Sequence, residues 1–156
     1  NKFPEVQFLI FGDPYPGKEF HLKNLNELIE NNNLKKYVEL IGEVKNINLI
    51  YPLLKIVVIP SNRPESFGNV ASEAMYFSKP VIASNIGAVT EQIMHRKNGM
   101  IFRNNDSMEL AKHIEKLIID RDLRIKLGLS GNNILNKSFN IDLFSNKLIK
   151  ILGLVL

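Results

Sequence analysis

Glu65 and Glu73 lie eight positions apart (73 − 65 = 8), on either side of the turn Ser66-Phe67-Gly68-Asn69-Val70. A carboxylate accepts hydrogen bonds on both oxygens, which suits the vicinal hydroxyls of a sugar ring. Gly68 admits a positive φ or a close approach of backbone to ligand. Asn69 is a candidate N-cap, so a helix starting here would aim the amides of Phe67 to Val70, and the positive end of its dipole, at an anion. Pyrophosphate is the natural guest, with one carboxylate on a ribose diol and the other on a sugar. Each acid also has a plain reading. Glu65 alone is a solvated loop carboxylate, and Glu73 in a first helical turn complements the dipole.

The flanking segments supply elements that would hold such a turn. Val6–Phe11 is a continuous apolar run ending at Gly12-Asp13-Pro14, which predicts a short buried strand. Lys18–Glu30 carries Phe20, Leu22, Leu25, Leu28 and Ile29 at helical spacing. Val38–Ile41 is a second strand closed by Gly42, and Ile47–Tyr51 a short helix. Ile56–Pro60, Pro80–Ala83 and Met100–Phe102 read as three more strands. Between them fall helices at Val70–Phe77 and Ala88–Met94. Asn105 or Asp106 caps a following helix whose apolar face is Met108, Leu110, Ala111, Ile114, Leu117 and Ile118. Asp122 caps the next, and Ile141–Leu152 is the last. Met75, Tyr76 and Phe77 read as core, Phe67 as packing, and Lys18 and Arg63 as solvated charges.

Alternating strands and helices imply an α/β fold, a doubly wound parallel sheet covered on both faces, with residues 1–156 as one domain. Ligands of such sheets bind at the carboxyl ends of the strands. Those ends are the loops Gly12–Gly17, Gly42–Lys45, Ser61–Asn69 and Ser84–Ala88.

In this frame the sequence resembles the retaining glycosyltransferases of family 4, enzymes of GT-B architecture. Glu65 and Glu73 match their E-x7-E motif. Pro60-Ser61, Phe67-Gly68, Glu73-Ala74-Met75 and Lys79-Pro80-Val81-Ile82-Ala83 fall in family order. So do Gly87, Glu91, Asn98-Gly99, the upstream Phe11-Gly12-Asp13 and the strand Val38–Gly42. The resemblance runs from about Pro4 to Phe144 and implies the Rossmann-like, donor-binding C-terminal half of such an enzyme. It implies a nucleotide-diphosphate sugar as donor and a glycan or lipid-type acceptor. Glu73 would bind the ribose hydroxyls, and Glu65, the catalytic candidate, would contact the transferred sugar or lie beneath it. The amides of Phe67 to Val70 would hold the distal phosphate, the Gly42–Val44 backbone would border the base, and Ser66 and Gly12 would also bind the donor.

The family usually needs no metal or other cofactor. His21, His95 and His113 are far apart in sequence, and none has a second ligand at i+3 or i+4. Two departures stand out. Gly87-Ala88 replaces the family's usual glycine pair. The strand-helix unit carrying an Arg and a Lys against the diphosphate should precede Pro4. That unit and the N-terminal acceptor domain are expected elsewhere in a longer polypeptide, so residues 1–156 alone are expected to be inactive.

Composition narrows the alternatives. Hydrophobic residues make up 45% and charged residues 23%, as in an ordinary globular domain. No apolar run is long enough to span a bilayer. Cysteine is absent, which excludes disulfides and thiolate metal sites and fits a reducing cytoplasm. The net charge of +4 is scattered. It serves solubility, or attraction to anionic nucleotides or the inner face of a membrane, and it forms no nucleic-acid patch. A nucleotide-sugar epimerase half-domain and a non-catalytic nucleotide-binding module are the competing readings. A receiver domain is excluded because Ser61 stands where its phosphoacceptor Asp would be.

Overall fold

The computed structural model describes residues 2–64, 66–138, 145 and 149–151. They fall into two compact units, residues 1–47 and 48–156. Both are α/β, and every strand pairing in them is parallel.

The first unit is β1 (Phe8–Phe11), α1 (Phe20–Asn31) and β2 (Val38–Gly42). β1 and β2 pair in register from Phe8↔Val38 to Ile10↔Leu40, then shift so that Phe11 faces Gly42. β1 is where the apolar run predicts it, but it is not buried: Phe8 is 43% exposed and Leu9 39%. The physical reason is the size of the unit. Two strands and one helix cannot cover both faces of a continuously apolar strand, and Ile29 of α1 is the one buried apolar side chain described there.

The second unit opens with two short 3-10 turns, Ile47–Leu49 (starting at the unit boundary) and Tyr51–Leu53, instead of one helix. β3 (Val57–Ile59), α2 (Asn69–Tyr76), β4 (Val81–Ser84), α3 (Val89–Gln92), β5 (Met100–Phe102), α4 (Ser107–Ile119) and α5 (Arg121–Ser138) follow. The strand order is β3-β4-β5. Central β4 is buried along its whole length, which explains a sequence of small and β-branched residues with no exposed position. Ile82, Met100, Phe102, Leu117 and Leu127 form the core beneath it.

α4 is capped by Asp106, whose carboxylate accepts the Glu109 amide at 2.9 Å. Its apolar face is narrower than the periodicity suggests, since Met108 is exposed and Leu117 fully buried. α5 is capped by Asp120, not Asp122: Asp120 Oδ1 accepts the Leu123 amide at 2.9 Å, and Asp122 lies within the first turn. The cap falls two residues early because α4 and α5 join without a loop between them. α5 meets the segment after α2 backbone to backbone. A Cβ on Gly128 would fall 2.0 Å from the Ser78 carbonyl oxygen, and one on Gly131 2.9 Å from Met75 Cγ. The helix expected over Ile141–Leu152 lies largely outside the described residues.

Candidate functional site

The turn between β3 and α2 differs from the sequence reading in two ways. Gly68, not Asn69, is the residue before the helix, with φ 74° and ψ 58° in the left-handed region. Asn69 is the first helical residue. A backbone reversal that needs positive φ falls to the one residue without a Cβ penalty, and no side chain caps the helix. Glu73 is therefore in the second turn, not the first, which weakens the plain reading that it complements the dipole.

The Ala71 amide bonds back to the Gly68 carbonyl at 3.0 Å. Among the described residues the Asn69 and Val70 amides ahead of it meet no acceptor, as expected for the orphan donors of a helix start. Asn69, Val70 and Ser66 are exposed, and Gly68 is buried. The Phe67 side chain is half exposed and so is not core packing. Glu73 is four residues after Asn69, so the two share a face of α2. Glu65 lies outside the described residues.

Glu73 has a partner that no local pattern reveals. The Tyr51 hydroxyl donates to Glu73 Oε2 at 2.9 Å, across 22 residues of sequence. The Tyr51 residue is buried, and its ring stacks on Phe77 with centroids 5.4 Å apart. The Lys79 ammonium donates to the adjoining Pro52 carbonyl at 2.8 Å, fixing the turn that carries Tyr51. Burial first, then the hydrogen bond and charge of Glu73, push the Tyr51 phenol above its usual range, so it stays a neutral donor. Tyr76, expected in the core, is exposed.

Gln92 is the second unforeseen residue. Its side-chain nitrogen donates to the Phe67 carbonyl, and its oxygen accepts the Ser72 hydroxyl at 3.0 Å. At the other end of the same loop the Ser84 hydroxyl donates to the Ser61 carbonyl at 2.7 Å.

Gly12 and Val44 lie in the first unit. There the Gly12 amide donates to the Gly42 carbonyl at 2.8 Å, and the Asp13 carboxylate accepts the Glu43 amide at 3.0 Å. These bonds tie the two strand ends into one rim. Val44 is half-buried beside it. His95 and His113, distant in sequence, have rings 5.4 Å apart. They grip the two polar groups of one residue: His95 Nδ1 accepts the Ile101 amide, and His113 Nε2 meets its carbonyl. Burial, then His113 and Arg96, hold the His95 pKa below its usual value. Among the described residues no group of three or more His, Asp or Glu is placed to hold a metal ion.

Residues 1–133 match the family model described as glycosyl transferases group 1. The chain belongs to that family. Among relatives of this glycosyltransferase domain, the mouse alpha-1,3/1,6-mannosyltransferase ALG2 is 30% identical over 141 residues, covering 88% of this chain and 33% of its own. An uncharacterized glycosyltransferase of Methanocaldococcus jannaschii, MJ1178, is 33% identical over 136 residues, covering 85% of this chain and 36% of its own. The chain thus spans about a third of the length of these relatives. Among solved structures, Anabaena Alr3699/HepE in complex with UDP superposes with a TM-score of 0.91 at 27% identity, over 97% of this chain and 42% of that one. The C-terminal domain of the group 1 glycosyltransferase LpcC from Francisella tularensis gives 0.81 at 31% identity, over 90% of this chain and 73% of that one. The α/β architecture with parallel sheets is that of these GT-B-type neighbours.

Proposed function

We propose that this chain is the nucleotide-sugar-binding domain of a glycosyltransferase that transfers its sugar with retention to a glycan or lipid-type acceptor. The observation that carries the reading is the start of α2: Asn69 and Val70 are exposed residues at a helix start that no side chain caps, with a carboxylate one turn on, at Glu73, held by Tyr51. The amides from Ser66 to Val70 hold the distal phosphate, and Glu73 takes the ribose diol. Glu65 contacts the transferred sugar, and the rim at Gly12 and Gly42–Val44 borders the base. The Anabaena neighbour, crystallised with UDP, supports a uridine nucleotide as the first ligand to test.

In this reading no metal is required, because the amides and helix dipole meet the diphosphate together with cationic groups elsewhere in the polypeptide. The acceptor domain and further cationic groups belong to the same longer polypeptide, which works in the cytoplasm or at the inner face of a membrane. No helix among the described residues is long and apolar enough to cross one. Residues 1–156 alone do not transfer sugar, since the departing diphosphate lacks most of its stabilising charge and its shield from water.

NMR titration of the full chain with UDP, GDP and ADP, without added metal, tests this. Binding on the order of 0.1–10 mM is expected, with amide shifts centred on Phe67–Glu73. Shifts that avoid this segment for all three nucleotides overturn it.

A further inference from the structure

Three polar residues are buried among the described ones: Ser84 (1% exposed), Gln92 (2%) and Asn98 (0%). Burying a polar side chain is unfavourable unless each of its groups is satisfied. All three serve one loop. Ser84 holds its first carbonyl, at Ser61, and Gln92 its last, at Phe67. Asn98 holds Gln92 in turn: its side-chain nitrogen donates to the Gln92 carbonyl at 2.8 Å, while its oxygen accepts the Met94 amide at 2.6 Å.

Gln92 is the decisive member because of where its carboxamide points. Nε2 meets the carbonyl of the residue just before Gly68, and Oε1 meets Ser72 on the second turn of α2. The same Nε2 lies 3.8 Å from where a Cβ on Gly68 would be. One side chain therefore spans the left-handed residue, fixing the peptide on its N-terminal side against the helix on the other. The Phe67–Gly68 peptide plane, and with it the direction of the amides that follow, is set by this bridge.

We infer that Gln92 is a positioning residue of the donor site: its buried carboxamide holds the Phe67 carbonyl and so orients the Gly68–Val70 amides toward a diphosphate. The inference rests on the proposed reading of that turn as the diphosphate site. Gln92 touches no ligand itself, so its contribution is preorganisation, not contact.

The experiment compares UDP affinity of the full chain with those of Gln92→Glu and Gln92→Met from pH 5 to 9, as the ratio of variant to wild type at each pH. The ratio cancels the ionisation of UDP and of other groups on the protein. A Glu at this place faces a carbonyl oxygen and is buried, both of which raise its pKa above the ordinary carboxylate value. When protonated it restores the donor to Phe67. When ionised it repels that carbonyl.

The Gln92→Glu ratio is therefore expected to approach unity at low pH and to fall about tenfold or more as the carboxyl ionises. Gln92→Met removes the donor at every pH, and its ratio should be low and flat. Amide hydrogen exchange of Phe67–Val70 without nucleotide should accelerate in Gln92→Met while β4 and β5 stay protected. A folded Gln92→Glu whose ratio is flat across pH, with unchanged exchange in the turn of Gln92→Met, overturns the inference. Should the wild type not bind UDP at this turn, the proposed function fails instead, and the exchange pattern still reports whether Gln92 fixes the turn.

Discussion

Two helices of the second unit begin in opposite ways. α4 closes its own end. Asp106 accepts the Glu109 amide, Glu109 Oε2 accepts the Arg103 amide at 2.8 Å, and the Arg103 guanidinium bridges back to Asp106 at 2.9 Å. Its Glu109 amide is satisfied by the capping side chain, and its dipole already meets the carboxylates of Asp106 and Glu109. α2 has a left-handed glycine in the capping place and no acid in its first turn. Its order comes from behind, through Gln92, Ser84 and Tyr51, and its front stays open. A helix-start donor is thus met by a side chain at one helix, while no side chain caps the other.

The sharpest way to break this contrast is Glu73→Ala. If Glu73 accepts a ribose diol, the variant should lose about 1.5–3 kcal/mol of donor binding, on the order of 10- to 140-fold in affinity. The sequence alone suggests little change in stability. The structure revises that, because removing the carboxylate strands a buried Tyr51 hydroxyl, so the thermal midpoint should fall as well. Tyr51→Phe separates the two effects. It leaves the carboxylate in place but unaimed, and UDP affinity measured by calorimetry should fall by less than in Glu73→Ala. Normal affinity in a folded Glu73→Ala protein would falsify the ribose assignment.

A smaller effect is expected at Gly68. A methyl group there has room, since the nearest atoms lie 3.8 and 3.9 Å away. The positive φ still costs roughly 1–2 kcal/mol for an L side chain. Gly68→Ala should lower the melting temperature by roughly 2–8 °C at this size, and its nucleotide affinity should drop too, because the strained turn can relax only by rotating the amides. A loss of stability with affinity intact would detach the turn from ligand binding.

The smallest effect should come from the closed end. Asp106→Ala should lower the melting temperature slightly and leave UDP affinity unchanged. The hydrogen bond from the Glu109 amide, and then the Arg103 guanidinium, hold the Asp106 carboxyl below its ordinary pKa. A depressed carboxyl stabilises the fold above its unfolded pKa and stops doing so as pH falls through the folded value. The difference between wild type and variant should therefore be full at neutral pH and fade below about pH 4. Melting curves from pH 2 to 7 decide it.

What the sequence made legible depends on how local the cause is. Met100–Phe102 falls where the Asn98-Gly99 turn and three apolar residues predict it, and Asp106 is one of two candidate caps named in advance, since turns and caps act over a few residues. The sequence marks Gly68 as free to take a positive φ but puts the cap at Asn69, because the preference of Asn for capping positions outweighs, in a local reading, the glycine's freedom. Tyr51 and Gln92 were invisible: their partners lie 22 and 25 residues away, and neither type is unusual where it stands. β1 shows the reverse failure. Its apolar run predicts a strand correctly but not its burial, which depends on how many neighbours the sheet has.

The glycines of α5 bear on how closely it packs against α2. Gly128 lies so near the Ser78 carbonyl that a methyl group would collide with it at 2.0 Å, and Gly131 seats Met75 of α2 itself. The Met75 side chain fills the place a Gly131 Cβ would take, and the Ser78 carbonyl fills the place of one on Gly128. A larger side chain at Gly128 or Gly131 would therefore force α5 away from α2 and the segment that follows it.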